Sequence, residues 1–378
     1  MLRVLFILSS IAMGGAERNT VSVLPYLQAA GAHVMLCTLN TRRDSPLAHV
    51  FSQTGIKRFD LDAQRMVDTA AWRRFVTLLR DEQIDLIHAQ DQDAIIYAGL
   101  AHRLLHIPSV MTRHVLQESA TSWKTSMRAR MVFWSAQQGM NRVVAVSEIV
   151  RHSFAKQAGI SLSKIDTIYN GIELNKFKKC QSRYELRNRF GWNLENPIAV
   201  LISVLRPGKG VEVLFDALPR IRAILPTFQL KLVGAGELEH DLREKAAPLG
   251  EAVEFLGERM DIPDLLAASD VLIQTSWSEA LPTVLIEAGA ASLPVVATNV
   301  GGTTEIVQNG HGGYIINPGD VETLIDRVVN ILKNPTLATR MGQQAHAFVV
   351  KTFSLEKQAM QTKSMYERIL GETHENPL

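Results

Sequence analysis

The sequence predicts an α/β protein made of two Rossmann-like, doubly wound domains in tandem. Two observations carry this. Short apolar runs alternate with longer amphipathic stretches from the first residue onward, which is how parallel strands with crossover helices look in sequence. The alternation then breaks once, in a polar and basic stretch at 176–196 that contains Lys178 and Lys179, and resumes beyond it. At 378 residues the chain also exceeds one core, and roughly 150 residues per domain suggests two.

Taken in order, the first series places strands at 3–8, 32–38, 86–88, 109–112, 142–146 and 164–168. Residues 17–29 read as a crossover helix, with Val21, Leu24 and Leu27 on one stripe. The second series places strands at 198–204, 229–233, 253–256, 271–274, 294–298 and 313–316, followed by a long helix at 355–370. The expected layout is a first domain at 1–178, a linker at 179–196 and a second domain at 197–354, with the last helix (about 355–372) able to pack back on the first domain.

Composition narrows the class. Hydrophobic residues make up 46% and charged residues 21%, which excludes disorder and a membrane bundle. No apolar run approaches the roughly 20 residues needed to span a bilayer. The opening run after Arg3 reads better as a first buried strand than as a signal peptide. Cys37 and Cys180 form neither a disulfide framework nor a metal motif, so a reducing cytoplasm is the expected location. The net charge of +2 hides an asymmetry: residues 101–190 hold 15 basic and 5 acidic side chains. Such an excess suits an anionic partner, a phospholipid surface or a phosphorylated acceptor, or it reflects solvated basic helices alone. Nucleic acid is not among the expected partners.

Several blocks are candidates for chemistry. Gly14 and Gly15 follow the first strand and open a helix, where backbone N–H groups and the helix dipole favour an anion; a plain tight turn explains them equally well. Gly234 and Gly236 also follow a strand, but Glu239 stands where a dinucleotide fingerprint needs glycine, which argues against NAD. Arg206 and Lys209 lie where the loop after the strand at 198–204 reaches the C-terminal edge of its sheet, and two cations there suit a diphosphate. Further on, Pro282 fits the first position of a helix, with Glu279 in the loop before it and Glu287 on its second turn. Helical geometry would separate those carboxylates by about 12 Å. Glycosidase pairs stand roughly 5–9.5 Å apart, so hydrolysis is disfavoured and hydrogen bonding to vicinal sugar hydroxyls is preferred. His88 and His114 each end a short apolar run of the first half.

Together the blocks resemble the family 4 glycosyltransferases of the GT-B fold, over nearly the whole chain. Similar to that family, in order, are Gly14-Gly15-Ala16-Glu17-Arg18, Asp85-Leu86-Ile87-His88-Ala89, Thr112-Arg113-His114, Val144-Ala145-Val146-Ser147-Glu148 and Tyr169-Asn170-Gly171-Ile172. They are followed by Lys209-Gly210, Gly234-Ala235-Gly236-Glu237, Glu279 with Glu287, and the stretch from Pro294 to Glu305.

The resemblance implies transfer of a sugar from a nucleotide-diphosphate sugar, most commonly UDP-linked, to a glycan or lipid-linked acceptor, with retention at the anomeric carbon and no metal. The donor would lie on the second domain, across a cleft from the acceptor domain. By the same resemblance Glu287 holds the ribose, Glu279 holds donor-sugar hydroxyls, and the backbone at Leu281, Pro282 and Thr283 cradles the sugar. Lys209 and Arg206 would neutralise the leaving diphosphate, Gly14 and Gly15 would offer N–H groups to it, Gly234 would line the donor site, and His114 would lie by the transferred sugar or the acceptor hydroxyl. Three positions depart from the family pattern: Val204 stands where its arginine is usual, Ala280 replaces a glycine, and Gln90 replaces the second histidine of a pair. An epimerase or phosphorylase on the same fold, or a non-catalytic sugar-nucleotide binder, are the alternatives.

The helix at 122–134 spaces Trp123, Met127, Met131 and Trp134 at helical intervals, with Lys124 and Arg128 on another face. Peripheral contact with an anionic membrane and ordinary core packing both explain this pattern.

Overall fold

A computed structural model describes residues 2–12, 14–41, 45–65, 68–117, 123–178 and 181–375, with the backbone alone at 123, 124 and 373–375. The expected positions Lys179 and Cys180 lie outside these residues, as do the side chains of Trp123 and Lys124. Two compact units emerge: Met1–Ile172 together with Ser354–Leu378, and Glu173–Phe353.

The first unit holds seven strands, β1 (Arg3–Leu8), β2 (His33–Thr38), β3 (Arg58–Asp60), β4 (Leu86–Ala89), β5 (Ser109–Arg113), β6 (Arg142–Ala145) and β7 (Ile165–Thr167). All pair in parallel, in the order β3-β2-β1-β4-β5-β6-β7. In β1 the five residues from Val4 to Leu8 are all buried, as a strand covered on both faces requires. β3, three residues at the edge with none buried, has no comparable sequence signal.

Helix α1 (Gly15–Ala29) follows β1 and packs on α15 (Leu355–Glu375), the last helix, so the C-terminus returns to the first unit. The return is fixed by polar contacts. Asn19 Nδ2 donates to Gly171 O (3.2 Å) and Gln358 Nε2 donates to Asn19 Oδ1 (2.8 Å). A Cβ on Gly171 would overlap the backbone of Ser354, so the two chain crossings at Ile172 and Ser354 can lie side by side only with glycine there. His88 ends up inside this unit: its Nδ1 meets Tyr366 Oη of α15 at 2.5 Å and its Nε2 meets Thr112 Oγ1 at 2.7 Å.

The second unit holds β8 (Ile198–Ile202), β9 (Gln229–Val233), β10 (Val253–Gly257), β11 (Val271–Gln274), β12 (Val295–Thr298) and β13 (Gly313–Ile316), all parallel in the order β10-β9-β8-β11-β12-β13. Each of the six expected strands of the second half is present. The expected linker needs correction. Residues 181–196 belong to the second unit and contain α7 (Arg183–Phe190), started by a capping box between Ser182 and Glu185. Arg187 is buried and fully engaged, donating to Ala268 O, Leu194 O and Asn196 O and to the carboxylate of Asp270.

Helices α4 (Gln92–Leu105) and α5 (Trp123–Gln138) pack closely in the first unit, where a Cβ on Gly139 would overlap Gly99. On α5 the buried stripe is Ala129, Val132, Ser135 and Ala136, while Met127 and Trp134 are exposed and Met131 is half-buried. The core-packing explanation therefore fails for Met127 and Trp134.

Candidate active site

In each sheet the strand order reverses at one place, between β1 and β4 and between β8 and β11, and open α/β sheets bind ligands beyond the C-terminal ends of strands there. Of the expected residues, Gly14 and Gly15 follow β1, Arg206 and Lys209 follow β8, and Glu279, Leu281, Pro282, Thr283 and Glu287 follow β11, whereas Gly234 follows β9 and His114 follows β5.

In the second unit, β8 runs into the loop holding Arg206, Lys209 and Gly210, and β11 runs into the loop from Thr275 to Pro282. The two loops meet. Lys209 Nζ donates to Glu279 Oε1 at 2.7 Å, with both side chains largely buried. Ser276 Oγ (2.8 Å) and Gln274 Nε2 (3.3 Å) donate to the same oxygen, so three donors fix one carboxylate. Ser276 is held in turn by Thr298 Oγ1, which donates to its carbonyl at 2.5 Å. None of Gln274, Ser276 and Thr298 was singled out from sequence.

Glycines let these loops approach. Gly301, at φ +49°, sits where a Cβ would overlap the carbonyl of Glu279, and Gly302 N–H donates to Ala280 O at 3.1 Å. Gly210 and Gly234 likewise touch the carbonyls of Thr275 and Ser203. The Gly301-Gly302 pair directly after a strand was the sequence signal available for this contact.

Helix α11 (Thr283–Ala290) begins one residue later than expected: Pro282 is the N-cap, in extended conformation, and no side chain caps the helix. Leu285 N–H bonds back to Pro282 O, and the first N–H groups, those of Thr283 and Val284, have no acceptor within the helix. Leu281 is buried beneath this turn and Thr283 is half-buried. Glu287 lies on the second turn as expected and is half-buried. Arg206 is exposed and its side chain bonds to no described residue, whereas Val204 is also exposed.

In the first unit, α1 begins at Gly15 with Gly14 as N-cap and no capping side chain. Glu17 folds back over Gly14, so that a Cβ there would overlap its carboxylate, and it accepts from its own backbone N–H. Burial, with a smaller contribution from Asp91, raises its pKa. Asp91 caps α4 and also accepts from the N–H and hydroxyl of Ser9, tying the ends of β1 and β4 together.

His114 follows β5. Its Nε2 lies 2.9 Å from Gln90 Oε1, an oxygen that only accepts, so Nε2 carries the proton and Nδ1 presents a lone pair. Burial and the neighbouring Arg113 lower its pKa to about 4, leaving a neutral ring at pH 7. Gln90, the residue that departs from the family pattern, thus has a definite task in orienting His114. Among the described residues no group of three His, Cys, Asp or Glu is placed to hold a metal ion.

Two family models match this chain in succession, "Glycosyltransferase Family 4" over residues 13–176 and "Glycosyl transferases group 1" over 182–348. The chain belongs to the family 4 glycosyltransferases, has the GT-B fold and is a glycosyltransferase. Among similar proteins is UDP-Gal:alpha-D-GlcNAc-diphosphoundecaprenol alpha-1,3-galactosyltransferase of Escherichia coli, 26% identical over 76% of both chains. N-acetyl-alpha-D-glucosaminyl L-malate synthase of Bacillus anthracis is 26% identical over 85% of this chain and 84% of its own. Anabaena HepE, solved in complex with UDP-glucose, aligns over 97% of this chain and 100% of that one at TM-score 0.84 and 26% identity.

Proposed function

We propose that this enzyme transfers a hexose, with retention, from a UDP-sugar to a lipid-linked or glycan acceptor in cell-surface polysaccharide or lipopolysaccharide synthesis. The observation that carries the reading is the Lys209–Glu279 pair, fixed by Ser276 and Gln274 at the β8/β11 reversal, beside the uncapped head of α11. UDP as the carrier is supported by the HepE complex and by the UDP-Gal donor of the galactosyltransferase, and the lipid-linked acceptor by the name of the latter.

Each residue then has a physical role. Lys209 Nζ, together with Arg206, meets the diphosphate, whose charge grows as the bond from the anomeric carbon to phosphate oxygen breaks and the electron pair stays with the phosphate. Fixed cations aimed at developing charge lower a barrier most. Glu279 exchanges its ammonium partner for sugar hydroxyls, and Ser276 and Gln274 keep its orientation during that exchange. The N–H groups of Thr283 and Val284, with the turn at Leu281 and Pro282, receive the donor's anionic oxygens. Glu287 accepts from the ribose hydroxyls, and the close approach at Gly234 leaves room at the far end of the donor. Retention requires the acceptor hydroxyl to attack from the face the diphosphate leaves, so the nearest base is a phosphate oxygen, which takes the hydroxyl proton as the new glycosidic bond forms. In the first unit, neutral His114, through Nδ1, accepts from a hydroxyl of a bound sugar, and the head of α1 at Gly14 and Gly15 offers N–H groups to an anionic group of a substrate.

A thermal-shift screen of UDP, GDP and ADP sugars tests the donor: UDP compounds should raise the melting point, in proportion to RT ln(1 + [L]/Kd), and a rise with GDP or ADP compounds alone would overturn the UDP assignment.

We also propose peripheral attachment of the first unit to the cytoplasmic face of an anionic membrane. The support is the α5 face carrying Met127, Arg130 and Trp134, all exposed, within the basic segment 101–190. Arg128 is partly neutralised by Asp93 at 3.4 Å, so Arg130 is the cation to change. Among the described residues no helix is long and apolar enough to cross a membrane. Unchanged, salt-independent binding of Arg130→Gln/Trp134→Ser to phosphatidylglycerol vesicles would refute attachment through this face.

A further inference from the structure

Inside the first unit, residues at the ends of β4 and β5 and on α1 and α15 line a cavity of about 20 Å³ that serves none of the roles above. That is room for one water molecule, which needs roughly two to four polar partners to stay. Most polar groups of the wall satisfy each other. Asn19 and Gln358 pair amide to amide, and Gln358 Oε1 also accepts from the N–H of Gly171 at 2.8 Å. Both ring nitrogens of His88 are engaged, and Thr20 Oγ1 donates to Ala16 O at 2.8 Å.

Three wall residues are left with unused capacity. Asn170 is only 6% exposed, and its Oδ1 has no hydrogen-bond partner among the described residues. The hydroxyl of Thr362, equally buried, bonds to no described residue. Gln90 spends its amide oxygen on His114 Nε2 at 2.9 Å, which leaves the hydrogens of its amide nitrogen without an acceptor among the described residues. An unmet acceptor, a hydroxyl and an unmet donor around a space of this size are what a single water joins.

We propose that the cavity holds an ordered water bridging Asn170, Thr362 and Gln90, and that Asn170 is thereby a positioning residue for His114. The water donates one hydrogen to Asn170 Oδ1 and the other to Thr362 Oγ1. Only its lone pairs then face Gln90, so it accepts from Nε2 and holds that end of the amide toward the cavity. Gln90 Oε1 is left to face His114, and the ring keeps its proton on Nε2. An amide turned the other way would donate to His114 Nε2 and move the proton to Nδ1, the nitrogen that accepts from a sugar hydroxyl in the function proposed above. The use of this device in catalysis rests on that reading; its existence does not.

Two measurements made without substrate test it. A crystal structure at a resolution that shows ordered water should place one within hydrogen-bond distance of Asn170 Oδ1, Thr362 Oγ1 and Gln90 Nε2. Nitrogen-15 spectra of histidine-labelled protein at neutral pH, with His114 assigned through His114→Gln, should show the Nε2–H tautomer in excess. Thr362→Val, which keeps the side-chain shape, and Asn170→Leu should each lower that excess about five-fold, the worth of one hydrogen bond. A cavity without water, a wild-type His114 protonated on Nδ1, or a tautomer ratio unchanged in Thr362→Val or in folded Asn170→Leu would each overturn the proposal. Thr362→Val decides the matter alone if Asn170→Leu does not fold. Failure of the glycosyl-transfer reading would show instead as UDP compounds that leave the melting point unmoved, with both measurements here unaffected.

Discussion

The two sheet edges at which the strand order reverses are built from the same parts and use them differently. At the β8/β11 edge a cation and a carboxylate are held together, three donors converge on one oxygen, and the head of α11 has no cap. At the β1/β4 edge the corresponding acids turn inward: Glu17 folds over the head of its own helix and Asp91 caps α4 and ties Ser9. Doubly wound topology therefore supplies a place for a ligand, and the side chains decide whether that place is charged for an anionic substrate or satisfied by the chain itself.

The largest effect tests the charged edge. Glu279→Ala should lower kcat by about 10²–10³, the usual cost of removing one preorganised group from a site of developing charge. Lys209→Ala should act similarly, and the double variant should lose much less than the product of the two, because each single change leaves the other charge without its partner. Steady-state kinetics of the four proteins checks this; additive losses would mean that the pair is not one device.

The second prediction concerns the structural use of the opposite edge. His88 is buried between Tyr366 and Thr112, and burial holds its pKa down at about 3. The folded state thus favours the neutral ring, while the unfolded chain protonates it near the ordinary value. Its contribution to stability is present above pH about 6.5 and falls as pH drops toward 3, by up to about 1.4 kcal/mol per pH unit. Denaturant titration from pH 7.5 to pH 5 should show a steeper loss for the wild type than for His88→Gln. His114, with a pKa near 4 in the folded protein, carries the same sign over a narrower window, from about pH 6.5 down to 4, and its folded-state ring should not change charge between pH 6 and 8.

How far this contrast was visible in the sequence depends on how local its cause is. Central strands such as β1 and β8 were legible because burial on both faces demands unbroken apolar runs, and motifs mark Glu279, Lys209 and Glu287 as candidates for the donor site. Helix α7 was not: its main announcement is the capping box at Ser182, and of its two buried residues, Leu186 and Arg187, the second reads as surface. The partnership of Lys209 with Glu279 spans 70 residues and exists because β8 and β11 are neighbours in the sheet. The direction of Glu17, outward to a ligand or back over Gly14, is likewise a matter of geometry alone.

A smaller effect should come from Gly301→Ala. The new methyl meets the carbonyl of Glu279 at a backbone conformation that alanine rarely adopts, so the loop from Glu279 to Ala280 must shift. Strain of this kind costs roughly 1–3 kcal/mol. A drop in melting temperature together with a loss of kcat is expected, whereas Gly15→Ala, with open space around its Cβ position, should leave stability nearly unchanged. Equal effects at the two positions would erase the difference between the edges.

The smallest effect is the most pointed, because its sign distinguishes two views of the β1/β4 edge. If the head of α1 receives donor phosphate, the carboxylate of Glu17 competes for that positive end, and Glu17→Gln removes the competitor while keeping the shape. A charge at a helix terminus is worth typically 0.3–1 kcal/mol, so UDP should bind about two- to five-fold more tightly. If instead Glu17 itself grips a ligand hydroxyl, the same substitution weakens binding. Isothermal titration with UDP at two ionic strengths reads both the sign and its origin, since the gain from removing a competing charge should shrink as salt rises, and a weakened complex would turn the inward-facing edge into a second binding edge.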